Sequence, residues 1–335
     1  MKTPLKEKTK AKMKLETELE LSDKEESIFL KKELMKLANN VRKKVLKQIG
    51  TNRRMILRRE DGGDPHFMLD EVAERAVEES LKKSKLPTAY FSEDRGFISF
   101  CKNPKWMLII DPIDGTRPAI ANFESCCFSA AAVPYSSRPK FGEIKSAIIM
   151  EMKTGNYFYA DADQTKIHST MPGLPLLTQK TNPEYMFWST ELTAHPINQI
   201  AKVCGELIDN SVTLGAVFVF TSSTYSLTRI VTGQLDAHVD VGNRIVRDYP
   251  ETEEEFKKVG RGKIVTLYPY DIAAAAFILV KSGGIVTDAY GNSLDNLSLL
   301  TDKSLKEQCS IIAASNINLH RKITSQLNWP RRGLQ

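Results

Sequence analysis

An apolar run that ends in two aspartates is the feature that most constrains this chain. Residues 106–110 read WMLII, and DPIDGT follows directly at 111–116. The apolar run predicts a buried strand over 106–110, so both carboxylates lie where that strand ends. Charge at the end of a buried strand is costly unless something binds it. The segment therefore indicates a binding site at the end of a sheet strand.

The residue types in this segment suit a divalent cation and an anion. In a turn, Asp111 and Asp114 can direct two carboxylates and the Ile113 carbonyl toward one small volume, and Mg²⁺ prefers such oxygen ligands. Gly115 and Thr116 leave backbone N–H groups free at an expected helix start, where a phosphate oxygen can bind. The alternative is a plain turn, because Asp-Pro and Asp-Gly are common turn dipeptides.

Length and composition predict a globular chain with a large core. The chain has 335 residues, of which 41% are apolar, and this allows two domains or one large domain. Apolar runs such as 273–280 are much shorter than a membrane span of about 20 residues, and the first residues lack the apolar region of a signal peptide. Five cysteines without CxxC spacing favour neither a disulfide framework nor a zinc site. We therefore expect a cytoplasmic location and no membrane partner.

The positive charge is concentrated near the beginning of the sequence. The net charge is +6, and residues 1–14 contribute +5 through six lysines and one glutamate. Residues 1–22 are therefore predicted to form a basic, disordered tail, and a nucleic-acid partner is not favoured. A second basic stretch, 42–59, has eight Lys or Arg and no acid; it either draws anionic substrates to a nearby site or forms an exposed helix face and hairpin.

Hydrophobic periodicity predicts a helix-and-sheet half over 23–180 and an alternating α/β half over 181–330. The predicted helices are 24–49, 67–84, 222–232, 270–282 and 316–327, and the predicted strands are 106–110, 128–134, 143–152, 156–161, 217–220, 235–241, 284–288 and 310–315. Residues 242–263 are polar and charged, and we interpret them as an inserted loop or short helix.

Three further acids occupy positions similar to those of the aspartates in DPIDGT. Glu93 ends a strand-like run, while Asp70 and Asp271 lie near the starts of predicted helices. Each is weak evidence alone, because an aspartate in a first turn can simply compensate the helix dipole, by about 0.3–1 kcal/mol.

Taken together, these segments resemble a known family. SED at 92–94, DPIDGT at 111–116 and YDIAAAAFILVKSGGIVTDAYG at 270–291 are similar, in order and spacing, to the three metal-site motifs of the inositol monophosphatase superfamily. These are Mg²⁺-dependent, lithium-sensitive sugar phosphatases, and they include archaeal-type fructose-1,6-bisphosphatases. The resemblance covers roughly residues 26–328 and implies an α/β fold, a layered αβαβα sandwich with the metals between its halves.

The resemblance also implies a set of metal ligands. Glu93, Asp111 and the Ile113 carbonyl would hold one Mg²⁺, and Asp111, Asp114 and Asp271 would hold a second. Two such ions can neutralise a phosphate dianion, lower the pKa of a bound water and stabilise the leaving alkoxide. The implied reaction is hydrolysis of a small sugar or polyol phosphate, similar to inositol monophosphate, without a protein nucleophile.

The residues around the attacking water and the phosphate follow from the same resemblance. Asp70 would help to hold a third, weaker ion and orient the water, and Thr116 would form a hydrogen bond to that water. Together with Glu93 these two residues form the implied catalytic set. The Gly115 and Thr116 amides would hold the phosphate oxygens.

The leaving-group side of the site leaves the substrate open. Ser222, Ser223 and Asp240 occupy the place of the family's substrate loop and acidic strand, and Arg117 lies beside the expected phosphate site. Fructose 1,6-bisphosphate and 3′-phosphoadenosine nucleotides are the alternative substrates. A homodimer is expected from the family. The alternative of a different class is a non-catalytic homologue that keeps the metal acids and binds a protein or nucleic acid.

Overall fold

The computed structural model describes residues 23–50, 56–58 and 65–330. The predicted basic tail over 1–22 lies outside these residues, as does part of the basic stretch 42–59. Among the helices of the described part, none combines the length and the apolar character that crossing a bilayer requires.

The strands form one seven-stranded sheet, one five-stranded sheet and one two-stranded sheet, and helices pack on the two larger sheets. In chain order, the elements up to residue 169 are α1 (Asp23–Val45), β1 (Ile56–Arg58), β2 (His66–Phe67), α2 (Met68–Lys83), β3 (Thr88–Ser92), β4 (Gly96–Ser99), β5 (Trp106–Asp114), α3 (Thr116–Ala121), β6 (Cys127–Pro134), β7 (Ser146–Glu151), β8 (Tyr157–Asp161) and β9 (His168–Ser169). They are followed by β10 (Phe187–Thr190), α4 (Ile197–Ser211), β11 (Ala216–Phe218), α5 (Ser223–Val231), β12 (Ala237–Asp240), α6 (Gly242–Asp248), α7 (Glu253–Val259), α8 (Pro269–Lys281), β13 (Ile285–Asp288), β14 (Ile311–Ala314) and α9 (Ile317–Gln326).

The first sheet has seven strands in the order β4-β3-β5-β6-β7-β8-β9. Only β3 and β5 run parallel to each other; the other neighbours are antiparallel. Alternate residues of its strands face opposite sides, so Leu108 packs with α1 and α2, whereas Met107 and Ile109 pack with α8. Helix α1 buries Leu30, Leu34, Leu37, Val41 and Val45, the spacing of one helical face.

The second sheet has five strands in the order β11-β10-β12-β14-β13. Helices α5 and α8 fill the space between the two sheets, and their residues share one apolar core with both. The opposite face of the second sheet packs against α4 and α9 through a separate core around Trp188. The resulting order of helix, sheet, helix, sheet and helix layers confirms the predicted αβαβα sandwich.

Most predicted elements occur within four residues of their expected bounds, with four informative differences. Helix α1 ends at Val45 rather than residue 49, because the Gln48 amide bonds to the Val45 carbonyl and tightens the chain into turns. Asp111 and Asp114 do not form a turn: they belong to β5, which continues through this segment with a bulge. The sequence analysis missed β10 and α4. Residues 242–263, interpreted as an inserted loop or a short helix, contain two short helices, α6 and α7.

Candidate active site

A cavity of about 660 Å³ brings the predicted site residues together. Its walls come from the ends of β3, β5, β10 and β12 and from the starts of α2, α3, α5 and α8. The residues from the sequence analysis that line it are Asp70, Glu93, Asp111, Ile113, Asp114, Gly115, Thr116, Arg117, Ser222, Ser223, Asp240 and Asp271, which is the complete predicted set. The structure therefore places them in one site, and their individual roles stay predictions.

A bulge at the end of β5 directs its two aspartates into the cavity. Asp111 lies opposite Ser129 on β6, and Asp114 lies opposite Cys127, so β5 contains one extra residue between the two pairs. The Ile113 amide donates to Asp111 Oδ1 at 3.0 Å. Both carboxylates are thus fixed by a strand that pairs with β6 before and after the bulge.

The start of α5 holds the second of these aspartates. Asp114 Oδ2 accepts hydrogen bonds from Ser222 Oγ at 2.8 Å and from the Thr224 amide at 2.6 Å. Ser222 also caps α5, since its Oγ accepts from the Tyr225 amide. The hydroxyl of Ser222 is therefore used to position Asp114.

Two helices present an aspartate to the cavity in the same way. Asp70 is the third residue of α2 and accepts from the Phe67 amide at 2.7 Å, and Asp271 is the third residue of α8 and accepts from the Tyr268 amide at 2.8 Å. This is one half of a capping box, which fixes the carboxylate at the helix start. The other oxygen of Asp70 accepts from Thr116 Oγ1 at 2.7 Å.

Gly115 links the bulge to α3 and requires the absence of a side chain. Its φ is 85°, in the left-handed region, and a Cβ at this position would overlap the Ser125 carbonyl oxygen. The backbone can therefore turn directly into Thr116, the first residue of α3.

Burial and mutual repulsion raise the pKa values of these carboxyls. Burial raises the pKa of Asp111 well above its usual range, and the charges of Asp114, Glu93 and Asp271 raise it further. Burial raises the pKa of Asp114 to about 6, against hydrogen bonds from Ser222 and Thr224, and it raises the pKa of Asp70 to about 6. A cation bound among these oxygens would remove this repulsion, and carboxylate and carbonyl oxygens fit Mg²⁺. We refer to Asp70, Glu93, Asp111, Asp114 and Asp271 as the acidic floor.

His66 adds a nitrogen donor that the sequence analysis missed. Donor atoms of His66, Asp70 and Asp94 lie within 4.8 Å of one another, and His66 Nδ1 lies 2.9 Å from Asp94 Oδ2. An imidazole with two carboxylates is a donor set that suits transition metals, whereas Mg²⁺ prefers oxygen ligands. No pattern in the sequence indicated His66, which lies in a two-residue strand just before α2.

Glu191 and His195 enter the cavity after β10 and were also missed. Asp240 ends β12, the parallel neighbour of β10, so the carboxyl ends of both strands open into the site. His195 Nδ1 lies 2.5 Å from the Thr193 carbonyl, and its Nε2 lies 3.8 Å from Asp240 Oδ1. Burial raises the pKa of Asp240, and the charge of His195 opposes this. Glu191 follows an apolar run just as Glu93 does, and this signal could have identified it.

The backbone at residue 242 makes room for this imidazole. A Cβ on Gly242 would overlap the His195 Nε2 and Cδ2 atoms. The His195 ring also packs edge-on against Phe256 of α7, with ring centroids 5.9 Å apart. Residues of the 242–263 segment therefore shape the site directly.

Three lysines line the mouth of the same cavity. Lys257 belongs to α7, Lys263 follows that helix, and Lys303 lies in the loop before β14. Lys263 and Lys303 are exposed, and Lys257 is half-buried. We refer to these three residues as the lysine rim.

Comparisons with known proteins agree with the geometry. The sequence model described as the inositol monophosphatase family matches residues 23–329. The chain is 24% identical over 305 residues to the fructose-1,6-bisphosphatase/inositol-1-monophosphatase of Methanothermobacter thermautotrophicus, a match that covers 88% of this chain and 94% of that protein. It is 22% identical over 268 residues to inositol monophosphatase 1 of Rattus norvegicus, covering 77% and 79% of the two chains. The solved structure of the extragenic suppressor protein suhB from Bartonella henselae has the same fold, with a TM-score of 0.67, 15% identity, and coverage of 89% of this chain and 97% of that one.

Proposed function

This chain belongs to the inositol monophosphatase family and is a phosphoric monoester hydrolase, and we propose that it hydrolyses a small sugar or polyol phosphate with Mg²⁺ as cofactor. The acidic floor is the observation that carries this proposal. Four of its carboxylates each accept a main-chain amide, so they stay close together in the cavity despite their mutual repulsion. Such an arrangement is typical of a site for cations.

The proposed ligand sets use the floor as follows. Glu93, Asp111 and the Ile113 carbonyl would hold one Mg²⁺, Asp111, Asp114 and Asp271 would hold a second, and Asp70 would contribute to a weaker third. When bound, Mg²⁺ neutralises the phosphate dianion, favours ionisation of water and stabilises the leaving oxygen.

The chain's own residues position the water and the phosphate. Thr116 can donate its hydroxyl hydrogen to Asp70 Oδ1, which leaves the Thr116 oxygen free to accept a hydrogen bond from the attacking water. The Gly115 and Thr116 amides face the phosphate oxygens at the start of α3. The Thr116 hydroxyl and the two amides belong to one backbone segment, so this segment would fix the position of the water relative to the phosphate.

The leaving group is proposed to lie between the floor and β12. Ser223, Asp240 and Arg117 line this part of the cavity, and Ser222 supports it by holding Asp114. The relative named fructose-1,6-bisphosphatase/inositol-1-monophosphatase supports both a polyol and a sugar phosphate as substrates. A 3′-phosphoadenosine nucleotide remains the third substrate to be tested.

Phosphate release tests this proposal. We expect inorganic phosphate from at least one of inositol 1-phosphate, fructose 1,6-bisphosphate and 3′-phosphoadenosine 5′-phosphate with Mg²⁺, and none with EDTA. Asp271→Asn removes a charged metal ligand and should reduce turnover about a thousandfold while keeping a cooperative thermal melt. Full activity in EDTA or in this variant would contradict the mechanism. If none of the three esters releases phosphate, the non-catalytic alternative is favoured.

A homodimer and a cytoplasmic location belong to the same proposal. Family resemblance supports the homodimer, and the five cysteines, none of which is paired in the structure, agree with a reducing compartment. Sedimentation of the purified chain measures the first, and a single monomeric species across the micromolar range would reject it.

A further inference from the structure

The lysine rim belongs to segments that do not carry the acidic floor. The floor residues come from β5, from the end of β3 and from the starts of α2 and α8, whereas the rim residues come from α7 and from two connecting segments. Asp111 on the floor is buried and Asp114 is half-buried, but Lys263 and Lys303 are exposed at the mouth. One cavity therefore has negative charge at its base and positive charge at its opening.

A single buried amide connects two of the segments that carry the rim. Gln308 Oε1 accepts from the Thr266 amide at 2.9 Å and from its hydroxyl at 2.7 Å, while Nε2 donates to the Ile264 and Lys303 carbonyls at 3.2 and 3.3 Å. Only 3% of Gln308 is exposed, so these bonds are shielded from water. The backbones beside Lys263 and at Lys303 are thereby held at a fixed separation.

The third rim residue is anchored by the core of α7. Phe256 is fully buried and packs on the His195 ring inside the cavity, which fixes the adjacent Lys257 at the mouth. Lys257 lies 2.8 Å from Glu253 and 3.1 Å from Glu254 on its own helix, and neither glutamate lines the cavity. Asp302 is the acidic residue beside Lys303, so three lysines and one aspartate line this part of the cavity.

We propose that the lysine rim binds a second phosphate group of the substrate, so that the preferred substrate is an organic bisphosphate rather than a monophosphate. The inference rests on the proposed function, because it assigns the scissile phosphate to the acidic floor. A cavity of about 660 Å³ has room for a sugar or nucleoside between two phosphates. Lysine ammonium groups on flexible stems suit a phosphate that must enter and leave with each turnover.

Matched substrates separate binding by the rim from general attraction of anions. Fructose 1,6-bisphosphate and fructose 1-phosphate differ only in the second phosphate, as do adenosine 3′,5′-bisphosphate and adenosine 3′-phosphate. Attraction alone changes kcat/KM for both members of a pair. Contact with the second phosphate changes the KM of the bisphosphate only.

The test compares a triple variant with a control built on the same segments. Lys257→Gln/Lys263→Gln/Lys303→Gln removes the rim, and Lys258→Gln/Lys306→Gln removes two exposed lysines that do not line the cavity. We expect the triple variant to raise KM for the bisphosphate about tenfold, with KM for the monophosphate within about twofold and kcat unchanged for both. The control should match the wild type.

Two results would overturn the inference. Equal increases of KM for both members of a pair would show attraction without contact, and unchanged KM values would show that the rim is uninvolved. Calorimetric titration of wild type and triple variant with fructose 1,6-bisphosphate and fructose 1-phosphate gives a readout without turnover. If the wild type binds the bisphosphate more tightly than the monophosphate by calorimetry but releases no phosphate from either, the proposed function is rejected and the inference about the lysine rim is not.

Discussion

The floor and the mouth of the cavity are built in different ways. At the floor, Asp70, Asp111, Asp114 and Asp271 each accept a main-chain amide from a strand end or a helix start. At the mouth, the lysines extend from a short helix and connecting segments, and their ammonium groups are at least partly exposed to water. The groups that we propose to take part in the reaction are thus held by main-chain hydrogen bonds, whereas the groups that we propose to select the substrate extend from a short helix and from connecting segments.

The largest effect should come from neutralising an acid of the floor, with an acid at the mouth as the comparison. Asp114→Asn keeps the shape of a buried side chain but removes a proposed metal ligand, so we expect kcat to fall about a thousandfold. Asp302→Asn, at the mouth, should change kcat by less than about threefold, because it touches no proposed metal ligand. Steady-state kinetics and thermal melts of both variants measure this difference. Similar losses in the two variants would mean that floor and mouth do not have separate roles.

A smaller effect should follow from loosening the mouth without removing its charges. Gln308→Leu leaves the amide and carbonyl partners of Gln308 without hydrogen bonds, at a cost of about 1–3 kcal/mol for each buried group. We expect KM for fructose 1,6-bisphosphate to rise about fourfold while kcat stays within about twofold.

The triple lysine variant is the control for this prediction. In that background, Gln308→Leu should raise KM no further, because the groups that it positions are already absent. If Gln308→Leu lowers kcat instead of raising KM, the hydrogen bonds of Gln308 affect the acidic floor as well as the lysine rim.

The smallest effect concerns pH and should arise at the floor and the residues that support it. Burial raises the pKa of Asp70 and of Asp114 to about 6. Glu74 is a buried residue of α2 that accepts a hydrogen bond from Ser92 Oγ at 2.6 Å, beside Glu93, and burial raises its pKa to about 7. Between pH 5 and 7.5 the folded state then holds more protons than the unfolded state, so the free energy of unfolding falls as the pH rises. We expect the Tm of the metal-free protein to fall by about 5 °C over this range.

Added Mg²⁺ should flatten this dependence, because it stabilises the ionised carboxylates. Calorimetry in EDTA and in Mg²⁺ measures both slopes, and Asp114→Asn should give a shallower slope in EDTA. A Tm that rises with pH in EDTA would contradict the assignment of these raised pKa values.

The floor could be predicted from the sequence because its segments resemble the three metal-site motifs of the family in order and spacing. Each acid alone is a weak local signal: Glu93 follows an apolar run, and Asp271 opens an apolar helix. The bulge at Asp111–Asp114 could not be predicted, because it depends on pairing with β6. Strand β10 was missed because it has only four residues and begins with the exposed Phe187.

The mouth could not be predicted because its residues meet only in the folded chain. Lys257 and Lys303 are separated by α8 and β13, and the bonds of Gln308 to Thr266 connect residues 42 positions apart. Lysines in polar segments are common, and nothing in their own neighbourhoods distinguishes Lys263 or Lys303 from solvent-exposed residues. Hydrophobic periodicity predicts single helices and strands, so it does not show which residues of distant segments come together in the folded chain.

The close contact between Gly242 and His195 links the histories of two positions that lie 47 residues apart. Because a Cβ at 242 would overlap the imidazole, a descendant that acquired alanine there would lose the present place of the histidine ring. The opposite order of substitutions is possible. A smaller residue at 195 would first remove the overlap, and residues with a side chain could then replace Gly242. Among relatives that keep both segments, glycine at 242 should therefore accompany histidine at 195, and other residues at 242 should appear only where the histidine has already been replaced.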